Sequence, residues 1–432
     1  MSIAPADSGT SQNMASGRDA QPWHERYATG AWLSPSLIMF AALCAIAASM
    51  AAIVFLFATS HGTVDYSGRP LGTDFSSFWS AGRMALEGHA AQAYDWSIHR
   101  DFQRVTHGVD AFYPWSYPPV FLLVAAAFAT LPYGLALLAW QLAGMAAAAR
   151  VFWEILPGRR ALLIGAAFPG VFVCVGNGQT GFLTATLLAG GLLLLPRRQV
   201  LAGVLFGLLA YKPQFGLLLP LVLVAGGYWR AIAAAACTVI ACVALTTALW
   251  GWPVWQAFLD SLPLTRSVVL DGGAAGFEKF QSAFAWVRLL GGSLLAAYSA
   301  QALVTAGVLA GCLWIWWTGM SYRLKCAALL TGALLSSPYV LDYDFISFGM
   351  AIAFLVAHGL EHGFLRWEKT LLAFAWFVPI MTRSFTKLTT VPIGFLALAA
   401  VFALVIVRAV AEQRGNAGEG SSATPPERMV SV

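Results

Sequence analysis

The sequence predicts an all-helical, polytopic integral membrane protein with about twelve transmembrane helices. Two compositional facts and one pattern carry that prediction. Hydrophobic residues fill 59% of the 432 positions and charged residues only 10%, whereas a soluble domain carries roughly 25% charged residues. So few charges cannot cover a water-soluble surface of this size. The apolar residues also fall in blocks, many of them near the ~17–25 residues a helix needs to cross a bilayer. Soluble domains, dinucleotide-binding sheets and nucleic-acid modules are poor fits on the same grounds. The formal charge of +5 requires no acidic partner, because basic residues are expected in cytoplasmic loops.

Residues 1–34 are polar and rich in Ser, Ala and Gly, and are expected to form a disordered cytoplasmic N-terminus. The first apolar block, Leu37 to Thr59, is too long for a signal-peptide core and reads as a retained first span. Further blocks run over 118–131, 133–153, 161–176, 180–195, 200–211, 213–228, 231–250, 297–319, 326–341, 343–360, 370–382 and 390–409. Polar-aromatic segments at 60–117 and 251–296 interrupt them. The membrane-embedded domain is thus 35–410, with outer loops 60–132 and 251–296. A polar tail, 411–432, is expected to be disordered. Cys44, Cys174, Cys237, Cys242, Cys312 and Cys326 all lie in or at the ends of apolar blocks without zinc-type spacing. They read as small lipid- or core-facing residues.

Basic residues orient the blocks. Arg159-Arg160, Arg197-Arg198, Arg230, Arg323 with Lys325, and Arg366 with Lys369 mark cytoplasmic loops. Asn177, Gln179, Lys212, Gln214, Asp342, Asp344, Arg383 and Lys387 then fall at the opposite helix ends. Parity requires one block between 60–117 and Arg159 not to cross. The shorter one, 118–131, opens on Pro118-Pro119 and is expected to be re-entrant or interfacial. Lys212-Pro213 should break the run 200–228, since proline donates no backbone hydrogen bond and disfavours helix before it. Both termini are then cytoplasmic, in a multi-pass protein of the cell's inner (plasma) membrane whose polar chemistry faces outward.

Ionisable residues at membrane depth are expensive and point to function. In the first outer loop, Asp74 is followed by Phe75, Phe78 and Trp79, a spacing that fits an amphipathic helix lying on the bilayer interface. Thr73 or Asp74 is placed to cap that helix. For Asp74 the spacing favours capping, and a general base with a raised pKa is the other role open to it.

The motifs in order are Asp74-Phe75-x-x-Phe78-Trp79-x-Ala81-Gly82-Arg83 with Gly88 and Tyr94-Asp95, then Tyr117-Pro118-Pro119, Gly178-Gln179, Lys212-Pro213-Gln214, Ser337-Pro338-Tyr339 and Asp342-Tyr343-Asp344. As an ordered set this resembles the polyprenol-dependent glycosyltransferases of family 87, which include bacterial alpha-1,2-mannosyltransferases and belong to the GT-C class of integral membrane enzymes. The resemblance implies a GT-C-type bundle and a polyprenyl-phosphate sugar donor. It also implies hexose transfer, mannose first, to a lipid-linked or glycan acceptor on the outer face. The family's catalytic acidic residue falls on Asp74. A second acidic residue near the donor would be Asp342 or Asp344, between which the motif does not choose.

The residue types suit that chemistry. One carboxylate can deprotonate an acceptor hydroxyl for in-line, inverting attack. A leaving lipid phosphate needs positive charge, for which Arg83, Lys212, Arg383 and Lys387 are candidates. Asn177, Gln179, Gln214, Asp342, Tyr343 and Asp344 can bind sugar hydroxyls. Trp79, Trp115, Tyr117, Trp252 and Trp255 either stack on sugar rings or, for most of them, form an interfacial aromatic belt. His61, His89, His99 and His107 have no tight metal-ligand spacing; no cofactor is expected, and a divalent metal stays open. No nucleotide-phosphate glycine loop is present, which argues against direct use of a nucleotide sugar. A transporter or flippase is the main rival, and a membrane scaffold a third reading. A transporter favours ionisable groups at the midplane and an internal repeat, and neither is visible.

Overall fold

The computed structural model describes residues 22–422, which are helical throughout apart from turns and isolated bridges. In chain order the helices are α1 (Trp23–Thr29), α2 (Pro35–Ala58), α3 (Asp74–Leu86), α4 (Trp96–His107), α5 (Leu122–Ala129), α6 (Tyr133–Ile155), α7 (Arg159–Ala166), α8 (Pro169–Asn177), α9 (Gly181–Leu194) and α10 (Gln199–Leu208). They continue as α11 (Leu219–Ala225), α12 (Trp229–Trp250), α13 (Pro253–Thr265), α14 (Ala283–Leu289), α15 (Leu294–Trp317), α16 (Tyr322–Leu335), α17 (Ile346–His362), α18 (Glu368–Thr389) and α19 (Ile393–Ser422).

Six of these are long and apolar enough to cross a membrane, or seven if the bent pair α7–α8 counts as one span. The expected count of about twelve crossings is not confirmed by length and composition. Several helices are short for a span: α9 and α16 have 14 residues each, about 21 Å of helix against a hydrocarbon core of ~30 Å. α7 and α8 meet at a 52° bend, where Pro169 opens the second helix and cannot bond back to the first. At Lys212-Pro213 the expected break is present as two short 3₁₀ turns, Leu209–Tyr211 and Pro213–Gly216. The 118–131 block forms the short helix Pro119–Ala129, too short to span. It packs so closely on α3 that a Cβ at Gly82 would lie 2.2 Å from the Ala125 carbonyl oxygen.

Burial ranks the helices. α17 is enclosed along most of its length, whereas α2 and α12 are almost wholly exposed, as lipid-facing helices should be. Phe75 and Phe78, expected on an interfacial face, are instead core residues, 1% and 3% exposed. They pack against Tyr133, Tyr117, Phe121 and Trp140. The aromatic face of α3 is therefore turned into the protein.

Part of the N-terminus expected to be disordered is ordered; residues 1–21 and 423–432 lie outside the described residues. α1 docks on the turn between α17 and α18. The Trp367 amide donates to the Ala28 carbonyl at 2.6 Å, Trp32 Nε1 donates to Thr370 Oγ1 at 2.8 Å, and Arg366 pairs with Glu25 at 3.0 Å. Beside this dock Glu368 and Arg408 form a buried ion pair, and Arg408 also donates to the Gly363 carbonyl. Arg323 pairs with Glu361, and the Ser321 amide donates to Glu412 at 2.7 Å. α19 likewise runs on through part of the tail expected to be disordered.

Candidate active site

The far ends of α8, α10 and α18, the near ends of α3, α9 and α17, and the residues around Tyr117 converge at one end of the bundle. Asp74 is the first residue of α3. It does not cap that helix: Thr73 holds the N-cap position, without a capping side-chain bond, and its hydroxyl turns to the Asn177 carbonyl and side chain at 3.4 Å. Thr73 sits at a positive φ of 22°, a conformation that neighbours must enforce. Tyr133 Oη supplies one restraint, donating to the Leu71 carbonyl at 2.5 Å.

Gly178 brings the second half of the site into register. It ends α8 in the left-handed region, φ 62°, and it faces the 72–75 turn so closely that a Cβ would lie 2.7 Å from the Gly72 oxygen. Trp140 Nε1 holds its carbonyl at 3.0 Å, and Gln141 Nε2 holds the Val175 carbonyl at 2.8 Å. Gln179 is thereby aimed at Asp74. Its Nε2 donates to Asp74 Oδ2 at 2.8 Å. Its Oε1 accepts from Tyr117 Oη at 3.2 Å and from the Thr180 amide at 3.0 Å.

Asp74 is half-buried, with one side open and the rest crowded by protein. Desolvation raises its pKa above the ordinary carboxylate value. The Gln179 hydrogen bond and the charges of Arg383, Lys279 and Lys212 oppose that rise without cancelling it. Burial also pushes the Tyr117 phenol up, so it stays protonated and donates.

Two ion pairs flank the carboxylate. Lys212 Nζ lies 2.7 Å from Asp344 Oδ1, with side chains 6% and 2% exposed. Lys212 also lies over the rings of Phe215 and Tyr343. Asp344 Oδ2 accepts from the Leu341 amide at 3.1 Å. Arg383 grips Asp342 with two bonds, Nε at 2.5 Å and Nη2 at 2.8 Å. The 340–342 segment is stitched to the strap that carries Lys279, since the Gln281 amide donates to the Val340 carbonyl at 2.8 Å and Phe280 bridges Leu341.

The structure thus joins Asp74, Gln179, Tyr117, Lys212, Asp342, Tyr343, Asp344 and Arg383, with Asn177 fastening the rim. Other expected members lie elsewhere. Arg83 pairs with Glu87 on the surface, 45% exposed. Lys387 is exposed one turn beyond Arg383. Gln214 is half-buried and makes no hydrogen bond among the described residues. Trp79 donates its Nε1 to the Leu131 carbonyl at 3.0 Å, and Trp115 is fully buried. Lys279 was not singled out from sequence. Its signal was available: it is the single lysine of the 251–296 segment, just after Gly272-Gly273 and Gly276. Among the described residues no three His, Cys, Asp or Glu side chains come together as metal ligands.

The family model of glycosyltransferase family 87 matches residues 115–338, just over half of the chain. The chain belongs to glycosyltransferase family 87. It is therefore a membrane glycosyltransferase, acting between a sugar donor and an acceptor. The matched stretch holds Tyr117, Gln179, Lys212 and Lys279; Asp74, Asp342, Asp344 and Arg383 lie outside it and are tied to it by the contacts above. No curated protein and no solved structure gives a significant match to the chain.

Proposed function

We propose that this transferase moves a hexose, mannose in the first instance, from a polyprenyl-phosphate donor to a hydroxyl of a lipid-linked or glycan acceptor on the outer face of the membrane. Asp74 is the general base. The observation that carries this reading is the state of the Asp74 carboxylate. One oxygen is engaged by Gln179, and the other accepts no hydrogen bond among the described residues, in the field of Arg383, Lys279 and Lys212.

The step balances as follows. The acceptor hydroxyl proton passes to Asp74 Oδ1, and the acceptor oxygen bonds to the anomeric carbon. The bond from that carbon to the phosphate oxygen breaks on the opposite side, and its electron pair leaves with the polyprenyl phosphate, so the anomeric centre inverts. A carboxylate whose pKa is raised is a stronger base than an ordinary one at neutral pH. Lys212 and Arg383 are each neutralised by an aspartate, whereas Lys279 has no carboxylate partner among the described residues. Lys279 is therefore the cation best placed to meet the leaving phosphate, with Lys212 and Arg383 setting the field behind it. Asn177, half-buried at the rim, has surface left to meet the sugar, whereas Asp342 and Asp344 are buried in their ion pairs with Arg383 and Lys212.

The test is transfer from labelled polyprenyl-phosphate mannose into lipid and polymer products, in membranes carrying the native chain or Asp74→Asn at matched expression. Transfer by the native chain, lost in Asp74→Asn while donor still binds, supports the reading. Equal transfer by both removes Asp74 as the base. Reporter fusions at Asn177 and Arg198 test the sidedness: a cytoplasmic Asn177 overturns outer-face transfer.

A further inference from the structure

We infer that Gln179 is a positioning residue for Asp74 rather than a sugar ligand: its amide occupies one carboxylate oxygen and presents the other to the acceptor hydroxyl. This rests on the reading of Asp74 as base.

The amide has little capacity left for a substrate. Oε1 has two acceptor sites, and both are filled, by the Tyr117 hydroxyl and the Thr180 backbone amide, with the Thr180 hydroxyl a third, longer donor at 3.5 Å. One Nε2 hydrogen is spent on Asp74 Oδ2. The residue is 5% exposed, so it offers a substrate little more than an edge. The Thr180 backbone amide and the Asp74 carboxylate also decide which way the amide faces. Were it reversed, Oε1 would confront the Asp74 carboxylate and Nε2 would face the Thr180 N–H, two mismatches that turning the Tyr117 hydroxyl does not relieve. Tyr117 is part of the device. It is held from behind as the Tyr94 hydroxyl donates to its carbonyl at 2.9 Å, and it packs on Phe78, Phe121 and Tyr211.

The mechanical chain is continuous. The left-handed turn at Gly178 sets the direction of Gln179, Trp140 clamps that turn, and the 2.8 Å contact transfers the register to the first residue of α3. The result is a carboxylate with one rotamer and one free oxygen, where a lone aspartate at a helix start would swing. Fixing a base within hydrogen-bond reach of a reacting group is worth orders of magnitude in rate, and displacement by about 1 Å can forfeit ~100-fold.

The experiment compares the pH dependence of transfer for the full-length native chain, Gln179→Leu, Tyr117→Phe and Asp74→Asn in detergent or nanodiscs, with labelled polyprenyl-phosphate mannose as donor. Gln179→Leu removes a hydrogen bond that favours the charged carboxylate, so the acid limb of kcat/KM moves to higher pH. kcat falls by roughly 10–100-fold, while the donor KM stays within about two-fold. Tyr117→Phe removes one donor from Oε1, loosens the amide and moves the limb the same way by a smaller amount. A Gln179→Leu variant with an unmoved acid limb and a raised KM makes Gln179 a substrate ligand and overturns the inference. If Gln179→Leu does not fold, Tyr117→Phe decides by the same two readouts. Full activity in Asp74→Asn instead overturns the base assignment itself, whatever Gln179 does.

Discussion

Replacing Lys212 by methionine keeps the length and apolar character of the side chain and removes its charge. Asp344 is then left 2% exposed with Oδ1 stranded, because Lys212 is its partner at 2.7 Å while Oδ2 retains the Leu341 amide. Stranding one member of a buried pair costs about 3–5 kcal/mol. Since one Asp344 oxygen stays bonded, the lower part of that range is expected, about 3 kcal/mol, or roughly a hundred-fold in the unfolding equilibrium. Adding Asp344→Asn removes the orphaned charge and still offers an oxygen to Leu341. The double variant should therefore recover to within about 1 kcal/mol of the native chain. Denaturant-driven unfolding in mixed micelles, followed through the 17 tryptophans, measures both. The reasoning fails if Lys212→Met loses less than about 1 kcal/mol, or if the double variant is no more stable than the single.

Gly178→Ala should lower stability by about 1–3 kcal/mol, from the positive φ and the 2.7 Å approach to the Gly72 oxygen. It should also cut transfer at least ten-fold by displacing Gln179, as thermal unfolding and transfer assays would show. Asp74→Asn should be inactive yet more stable than the native chain at neutral pH. A carboxylate whose folded pKa is raised favours the folded state below its unfolded value and loses that contribution as pH rises through the folded value. The gap should close on acidification, and a melting series from pH 4 to 8 reads it directly. His99, buried in α4, has its pKa pulled down to about 3 by desolvation. The unfolded chain takes up a proton there first, so this residue weakens the fold progressively as pH falls from its ordinary 6.5 toward 3. His99→Phe should flatten that acid sensitivity in the same melting series.

Much of this fold was legible because the bilayer imposes a coarse pattern: every apolar block named from the sequence contains a helix. Crossing number was not legible, because block length overstates helix length wherever a proline or a 3₁₀ turn shortens the segment, as at Pro169 and at Lys212-Pro213. Of the site, the alignment of polar helix ends was visible, and it brought Asp74, Gln179, Lys212, Asp342, Asp344 and Arg383 together. Helix geometry alone places Arg83 away from Asp74. Nine residues past Asp74 at about 100° each is half a turn off its face, and roughly 13 Å along the axis. What no local pattern contains is the pairing of partners from distant segments. That Lys212 and Arg383 are each committed to an aspartate, and that the Gln179 amide is saturated, are facts of the tertiary arrangement.

The docking of α1 bears on how a substrate enters. At the end of the bundle remote from Asp74, the segments around Ala28, Arg323, Glu368, Arg408 and Glu412 are riveted to one another by ion pairs and backbone bonds. At the other end, the strap between α13 and α14 crosses Gly272, Gly273 and Gly276 before reaching Lys279. A sheaf bound tightly at its base parts only at its tip. Any widening that admits a bulky substrate must then pivot about the α17–α18 turn and be taken up in the strap. Amide exchange faster at 272–279 than at 365–371 would bear this out, and the reverse order would refute it.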